Sequence, residues 1–146
     1  MVSLVHERIP QVNELALSLT LNDLLDNAVQ HGGIEGNSNV QFTVSEKEGA
    51  LVVSILNDRV FPLPPTLTGK QITPHTPSFR VPVKERDKTG GKAGRGVENT
   101  VEGVKLIYYD AVATPVAEWT EVDSIPGKPK ILLQLTLPIP PKESKK

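Results

Sequence analysis

The middle of this chain is rich in proline, and this limits what the rest of it can build. Six prolines lie between residues 58 and 96, and proline can neither continue a helix nor donate to a sheet ladder. We therefore expect a long loop over residues 58–96, with regular elements on either side. A loop of this length inside a compact domain is normally functional or disordered. A linker between two domains is the alternative, but neither flank is large enough to fold comfortably alone.

Two stretches predict amphipathic helices, because apolar side chains recur every three to four residues on one face. The first covers residues 12–31, with Asn13 as the residue that starts it and Gly32-Gly33 as the pair that ends it. The second covers residues 97–109. The repeating residues are Leu17, Leu21, Leu24 and Ala28 in the first helix, and Val97, Val101, Val104 and Tyr108 in the second.

Alternating apolar and polar side chains predict strands with one buried face. The order helix, hairpin, loop, helix, hairpin then predicts an α+β two-layer sandwich, with a mixed but largely antiparallel sheet covered on one face by helices. The predicted strand regions are a hairpin over 39–56 with its turn at 47–49, a short strand at 116–122, a turn at 124–127 and a last strand at 131–137.

Composition narrows the class of protein. The chain has no cysteine, which excludes a disulfide scaffold, a thiolate metal site and a cysteine nucleophile. Its formal net charge is −1, so no bulk field draws it to nucleic acid or to a membrane surface. Neither an apolar run of membrane-spanning length nor a signal-peptide pattern is visible. We expect one cytoplasmic domain over residues 1–141, followed by a disordered tail at 142–146.

A pair of polar residues on the first helix is a candidate for chemistry. Asp23 and Asn27 are four residues apart, so they project from the same helix face, one turn apart. A carboxylate can orient or deprotonate a water, and an amide oxygen beside it can bind Mg²⁺, which prefers oxygen ligands. A solvated polar stripe on a surface helix is the alternative for the same pattern.

A second candidate lies where Gly94 and Gly96 run into the second helix. Backbone N–H groups and the helix dipole make an anion site at a helix start, and Lys92 and Arg95 add positive charge there. A flexible loop joined to a helix is the alternative.

A third candidate is Asn57, at the end of the second strand. Its side-chain oxygen can accept a hydrogen bond from the exocyclic amine of a base. An ordinary turn out of the strand is the alternative.

The order of these features resembles the ATP-binding domain of the GHKL superfamily, and most of all the catalytic, ATP-binding domain of sensor histidine kinases. The resemblance covers about residues 9–138. It implies a Bergerat-type ATP-binding fold, with the ATP lid in the loop over residues 58–96. The segments that carry it are LNDLLDNAVQHG, ILNDR, GRGVENTVEGVKLIYY and LTLPIP.

The resemblance implies a role for each matching residue. Asn27 corresponds to the asparagine that binds Mg²⁺, and Asp23 corresponds to the position of a general base. His31 falls where kinases commonly have histidine or tyrosine, and we expect it at the nucleotide. The residues expected at the phosphates are Lys92, Gly94, Arg95, Gly96 and Val97.

The sequence departs from the family where the first glycine box is expected. Asn57 stands at the aspartate that binds the adenine amino group, so it keeps an acceptor oxygen and loses the charge. Arg59 and Phe61 replace two glycines. A side chain at either place can fill the adenine pocket, while Arg59 can alternatively contact the nucleotide.

The resemblance implies a histidine-kinase-type catalytic domain, with Mg²⁺ and ATP as cofactors, that transfers phosphoryl to a histidine of a partner protein in two-component signal transduction. The altered glycine box leaves an alternative, a domain with weak or no nucleotide binding that acts as a protein-interaction module. A stand-alone serine kinase of the anti-sigma-factor type fits the size, although such chains usually begin with strands.

Overall fold

The computed structural model describes residues 2–31, 40–58, 64–82, 84, 95–109, 113–125 and 128–140. The helices and strands follow one another in the order that the sequence predicts, with one short helix and one short strand added. The helices are α1 (Val2–Arg8), α2 (Glu14–His31) and α3 (Arg95–Val104), and the strands are β1 (Val40–Lys47), β2 (Ala50–Asp58), β3 (Gln71–Ile72), β4 (Val116–Ile125) and β5 (Lys128–Pro138).

The described strands form one sheet in the order β1-β2-β5-β4-β3, and every pairing within it is antiparallel. The hairpins β1–β2 and β4–β5 meet through β2 and β5, where Val53 lies opposite Leu135 and Ile55 lies opposite Leu133. The predicted two-layer α+β sandwich is confirmed.

Alternate residues of each strand face the helices and form the core. In β2, Leu51, Val53 and Ile55 are buried, whereas Val52 and Ser54 on the other face are half-buried. Full burial of such side chains contributes about 1.5–3 kcal/mol each, so this face holds the two layers together. The helices add the predicted repeats Leu17, Leu21, Leu24, Val97, Val101 and Val104, all buried.

The start of α2 is set by the residues just before it. Val12 forms a β-bridge with Tyr108, so the helix begins at Glu14, two residues later than predicted. The Ala16 N–H donates to Asn13 Oδ1 at 3.2 Å, the bond of an N-cap. The prediction that Asn13 starts this helix is confirmed.

The end of α3 differs from the prediction of a helix over 97–109. The helix stops at Val104, and the Leu106 N–H donates to the Gly103 carbonyl in a tight turn. Tyr108 is buried as the repeat suggested, but it lies after the helix and forms a β-bridge with Val12. Its hydroxyl donates to the Pro138 carbonyl at 2.5 Å.

Of the two predicted hairpin turns, the first agrees with the structure and the second differs from it. Glu48 and Gly49 have positive φ values of 51° and 79°, as a two-residue type I′ turn requires, so the first predicted hairpin is confirmed. The second predicted turn is wrong in extent. Ser124 and Ile125 pair with β5, because the strands continue past a bulge between Glu121 and Ser124.

The described part of the proline-rich segment, residues 64–82, packs against the sheet. β3 pairs with β4, and Ile72 lies opposite Ala117. Leu67, Ile72 and Val81 belong to the hydrophobic core. The expected loop therefore contains a short strand and part of the core. Its apolar residues are buried at positions between the prolines.

Candidate functional site

Asp23 lies at the border of the buried face of α2. It precedes Leu24, which is buried, by one position and is therefore rotated about 100° around the helix axis. Its carboxyl is partly exposed. Burial raises the pKa of the Asp23 carboxyl, and the charge of Asp26 raises it further. A carboxyl with a raised pKa is a better proton acceptor than a fully solvated one, and the role of Asp23 as a general base stays a prediction.

Asn27 and His31 continue the same helix, one and two turns beyond Asp23. Their backbones are helical as predicted, and their side chains lie outside the description. Their assigned roles at Mg²⁺ and at the nucleotide stay predictions. Within the described ranges, no group of three or more histidine, aspartate or glutamate side chains is placed to hold a metal ion.

Asn57 is a buried polar residue in an apolar surround. It lies on the helix-facing side of β2, opposite Val40 on one neighbour and Ile131 on the other. Only 6% of it is exposed. Its Nδ2 donates to the Asp58 carbonyl at 3.1 Å. An amide buried in such a place costs free energy unless it is hydrogen-bonded, and the bond to the Asp58 carbonyl offsets part of that cost.

The helix that carries Asp23 starts at the other end of β2. Val12 bridges Tyr108, and Tyr108 donates to Pro138, which lies opposite Ala50 at the start of β2. α2 therefore begins near Ala50, at the end of β2 opposite to Asn57. Its 18 residues span about 27 Å, close to the length of the strand beneath it.

The start of α3 is the predicted anion site. Arg95 and Gly96 begin the helix, and Val97 is buried, which anchors this first turn to the core. The first N–H groups of a helix have no intrahelical acceptor and carry the positive end of the dipole. Lys92, Gly94 and Arg59 lie outside the described residues.

Arg80 reaches the first turn of α3, a contact that sequence reasoning missed. Its Nε donates to Glu98 Oε1 at 3.2 Å. In the same segment, Lys70 Nζ lies 4.8 Å from the ring centre of Phe79. The partners Arg80 and Glu98 are 18 residues apart, on either side of the undescribed residues, so no local spacing could have indicated the pair.

The described geometry defines a two-layer α/β domain with polar groups on α2, at the end of β2 and at the start of α3. No family model matches the chain, and no curated protein matches it in sequence. Among solved structures, the chain is similar to the catalytic domain of histidine kinase ThkA in a nucleotide-free form. The TM-score is 0.58 and the identity is 17%, over 91% of this chain and 72% of that one. This likeness shows the fold alone, which the chain shares with that catalytic domain.

No helix among the described residues is long and apolar enough to cross a membrane.

Proposed function

We propose that this chain is an ATP-binding domain of the histidine kinase type, which passes phosphoryl from Mg-ATP to a histidine of a signalling partner. The observation that carries the proposal is the buried amide of Asn57, on the helix-facing side of a sheet whose fold matches a histidine kinase catalytic domain. An amide offers both an acceptor and a donor, and the edge of adenine is complementary to that pair.

The other polar groups fit the remaining parts of the ligand. The start of α3 suits the phosphates, since helix N-termini bind anions through backbone N–H groups. The oxygen atoms of side chains on α2 suit Mg²⁺, with Asn27 as the ligand. Asp23 would orient a water molecule or accept its proton. Bound Mg²⁺ would supply charge neutralisation at the phosphates. The work of this chain would then be to position the nucleotide and exclude water.

The direct test is calorimetric titration of the full chain with ADP and with a non-hydrolysable ATP analogue, with and without Mg²⁺. We expect Mg²⁺-dependent binding, which Asn27→Ala should abolish. Asn22→Ala is the matched control, because Asn22 lies on the exposed side of the same helix. Unchanged affinity in Asn27→Ala would remove Asn27 from the site, whereas equal loss in both variants would indicate general damage to the helix. No binding by the unchanged chain would overturn the proposal.

A second candidate function is a protein-interaction module that has lost its nucleotide. The observation that favours it is that Leu67, Ile72 and Val81, in the segment where the ATP lid was expected, pack into the core. Asn57 also lacks the charge that an aspartate would supply. The titration separates the two functions, because this candidate predicts no heat with either nucleotide.

A further inference from the structure

We propose that two copies of this chain pair along the outer edge of β1, antiparallel to each other, so that their two sheets form one continuous sheet. The inference is independent of nucleotide binding. It starts from the difference between the two edges of the sheet. β3 is two residues long and is followed by Pro74 and Pro77, whereas β1 is eight residues long. Natural proteins keep edges from pairing with short strands, prolines, bulges and charged side chains. β1 is long and has no proline, and its unbroken register with β2 from Val40 to Lys47 has no bulge. Its charged residues, Glu46 and Lys47, lie together at one end of the strand.

The hairpin turn shows which backbone groups face outward. Lys47 and Ala50 flank the two-residue turn and therefore form a hydrogen-bonded pair. In an antiparallel ladder, bonded and non-bonded pairs alternate. The N–H and C=O groups that point away from β2 consequently belong to Val40, Phe42, Val44 and Glu46. Within the described part of the chain, no strand pairs with this edge.

In one register, the outward backbone groups of all four residues form hydrogen bonds with the second copy. A two-fold axis through Thr43 places Phe42 of one copy opposite Val44 of the other, and Val40 opposite Glu46. The two-fold axis repeats both pairs, which makes four. Each pair exchanges two hydrogen bonds, about eight in total. Moving the axis to Phe42 or Val44 leaves one outward residue without a partner. The central register is therefore the most favourable one.

The side chains agree with this register. Phe42 and Val44 form apolar pairs on the helix-facing side, and Thr43 meets its own copy on the other side, a pairing that stabilises sheets. Glu46 faces Val40 of the second copy, so no like charges are opposed. Its ion pair with Arg8, at 2.7 Å, keeps its carboxylate turned toward α1.

The register also covers apolar surface that the single chain leaves exposed. A groove runs between α1 and β1, and its lining includes Leu4, 66% exposed, and Val44, 41% exposed. In the pair, Phe42 of the second copy lies beside Val44 at this groove. Isologous pairing of this kind closes after two copies, because each copy uses the long edge that the described strands leave open.

The absence of cysteine makes a sharp test possible. Thr43→Cys puts two thiols across the axis in a non-hydrogen-bonded pair, with Cα atoms about 4.5 Å apart, which is within disulfide range. Ser45→Cys is the matched control, since its two copies lie four residues apart along the strands, about 13 Å. We expect Thr43→Cys to oxidise to a covalent dimer and Ser45→Cys to form no covalent dimer under the same conditions. Equal cross-linking of both would overturn the register.

Sedimentation of the unchanged full chain over a range of concentrations tests the pair itself. We expect a monomer–dimer equilibrium that Val44→Pro abolishes, because that N–H does not bond to β2. Val44→Lys is a second variant that needs no backbone change, and Leu19→Lys, on the exposed face of α2, is its control. Circular dichroism verifies that each variant folds. A monomer at every concentration would overturn the proposal, as would a dimer that Val44→Lys leaves intact.

Discussion

Gly103 is a residue whose missing side chain allows α3 to pack on α2. A Cβ at this position would overlap Thr20 Oγ1, which is buried and donates to the Ala16 carbonyl at 2.8 Å. In an open helix, Gly→Ala would gain about 1 kcal/mol of helix propensity. Overpacking costs about 1–3 kcal/mol, so we expect Gly103→Ala to lower the free energy of unfolding in urea titrations.

A double-variant cycle identifies the cause of that loss. Thr20→Ala removes the hydroxyl that the new methyl group would meet. The double variant should therefore lose less stability than the two single variants added together. Additive losses would mean that Thr20 is not the obstacle, and an unchanged Gly103→Ala variant would mean that α2 and α3 pack more loosely.

At the scale of elements, Tyr108 ties the segment after α3 to the end of β5. Its hydroxyl donates to the Pro138 carbonyl, and burial raises the pKa of this phenol well above its ordinary value. Tyr108→Phe should cost about 1 kcal/mol at neutral pH, the net value of one hydrogen bond. Tyr109→Phe, at an exposed ring, is the matched control.

The raised pKa of Tyr108 also gives a pH dependence with a definite sign. The unfolded phenol loses its proton near pH 10, whereas the folded one retains it. The advantage of Tyr108 over phenylalanine is therefore fully present below about pH 10 and shrinks above it, since the unfolded state then binds fewer protons. Urea midpoints of both proteins between pH 8 and 11 measure this difference, and a constant difference would contradict it.

Elements with a clear local signal were predicted well. The helical repeats of α2 and α3, the Asn13 cap and the Glu48-Gly49 turn all depend on neighbouring residues. The boundaries that differ depend on distant partners. Tyr108 leaves the helical pattern because Val12 and Pro138 bind it, and β3 forms because β4 offers an edge to Ile72.

For the candidate site too, local features could be predicted from the sequence and contacts between distant segments could not. Asp23 and Asn57 were predicted as site residues because each stands out locally, as a carboxylate on an apolar helix or an amide near the end of an apolar strand. Their burial depends on the whole fold. The contact of Arg80 with Glu98 joins distant segments, so spacing along the chain carries no trace of it.

At the scale of the whole molecule, nucleotide binding should raise the stability of the folded chain. A ligand that binds only the folded state stabilises it by about 2.7 kcal/mol at a hundred times its dissociation constant. We expect ADP with Mg²⁺ to raise the melting temperature of the full chain. Asn57→Leu should remove this increase, because it replaces the amide by an apolar group of similar size at the same buried position.

Two comparisons make the Asn57 result specific. Ser54→Ala changes a polar residue of the same strand on the face away from the helices, and it should leave the ADP-dependent increase intact. Asn57→Asp should retain binding, since a carboxylate also accepts a hydrogen bond from the amine of adenine. If Asn57→Leu keeps the full increase, the nucleotide does not contact Asn57, and the buried amide serves the fold alone. An increase lost in Ser54→Ala as well would indicate general damage to β2 and not a missing contact.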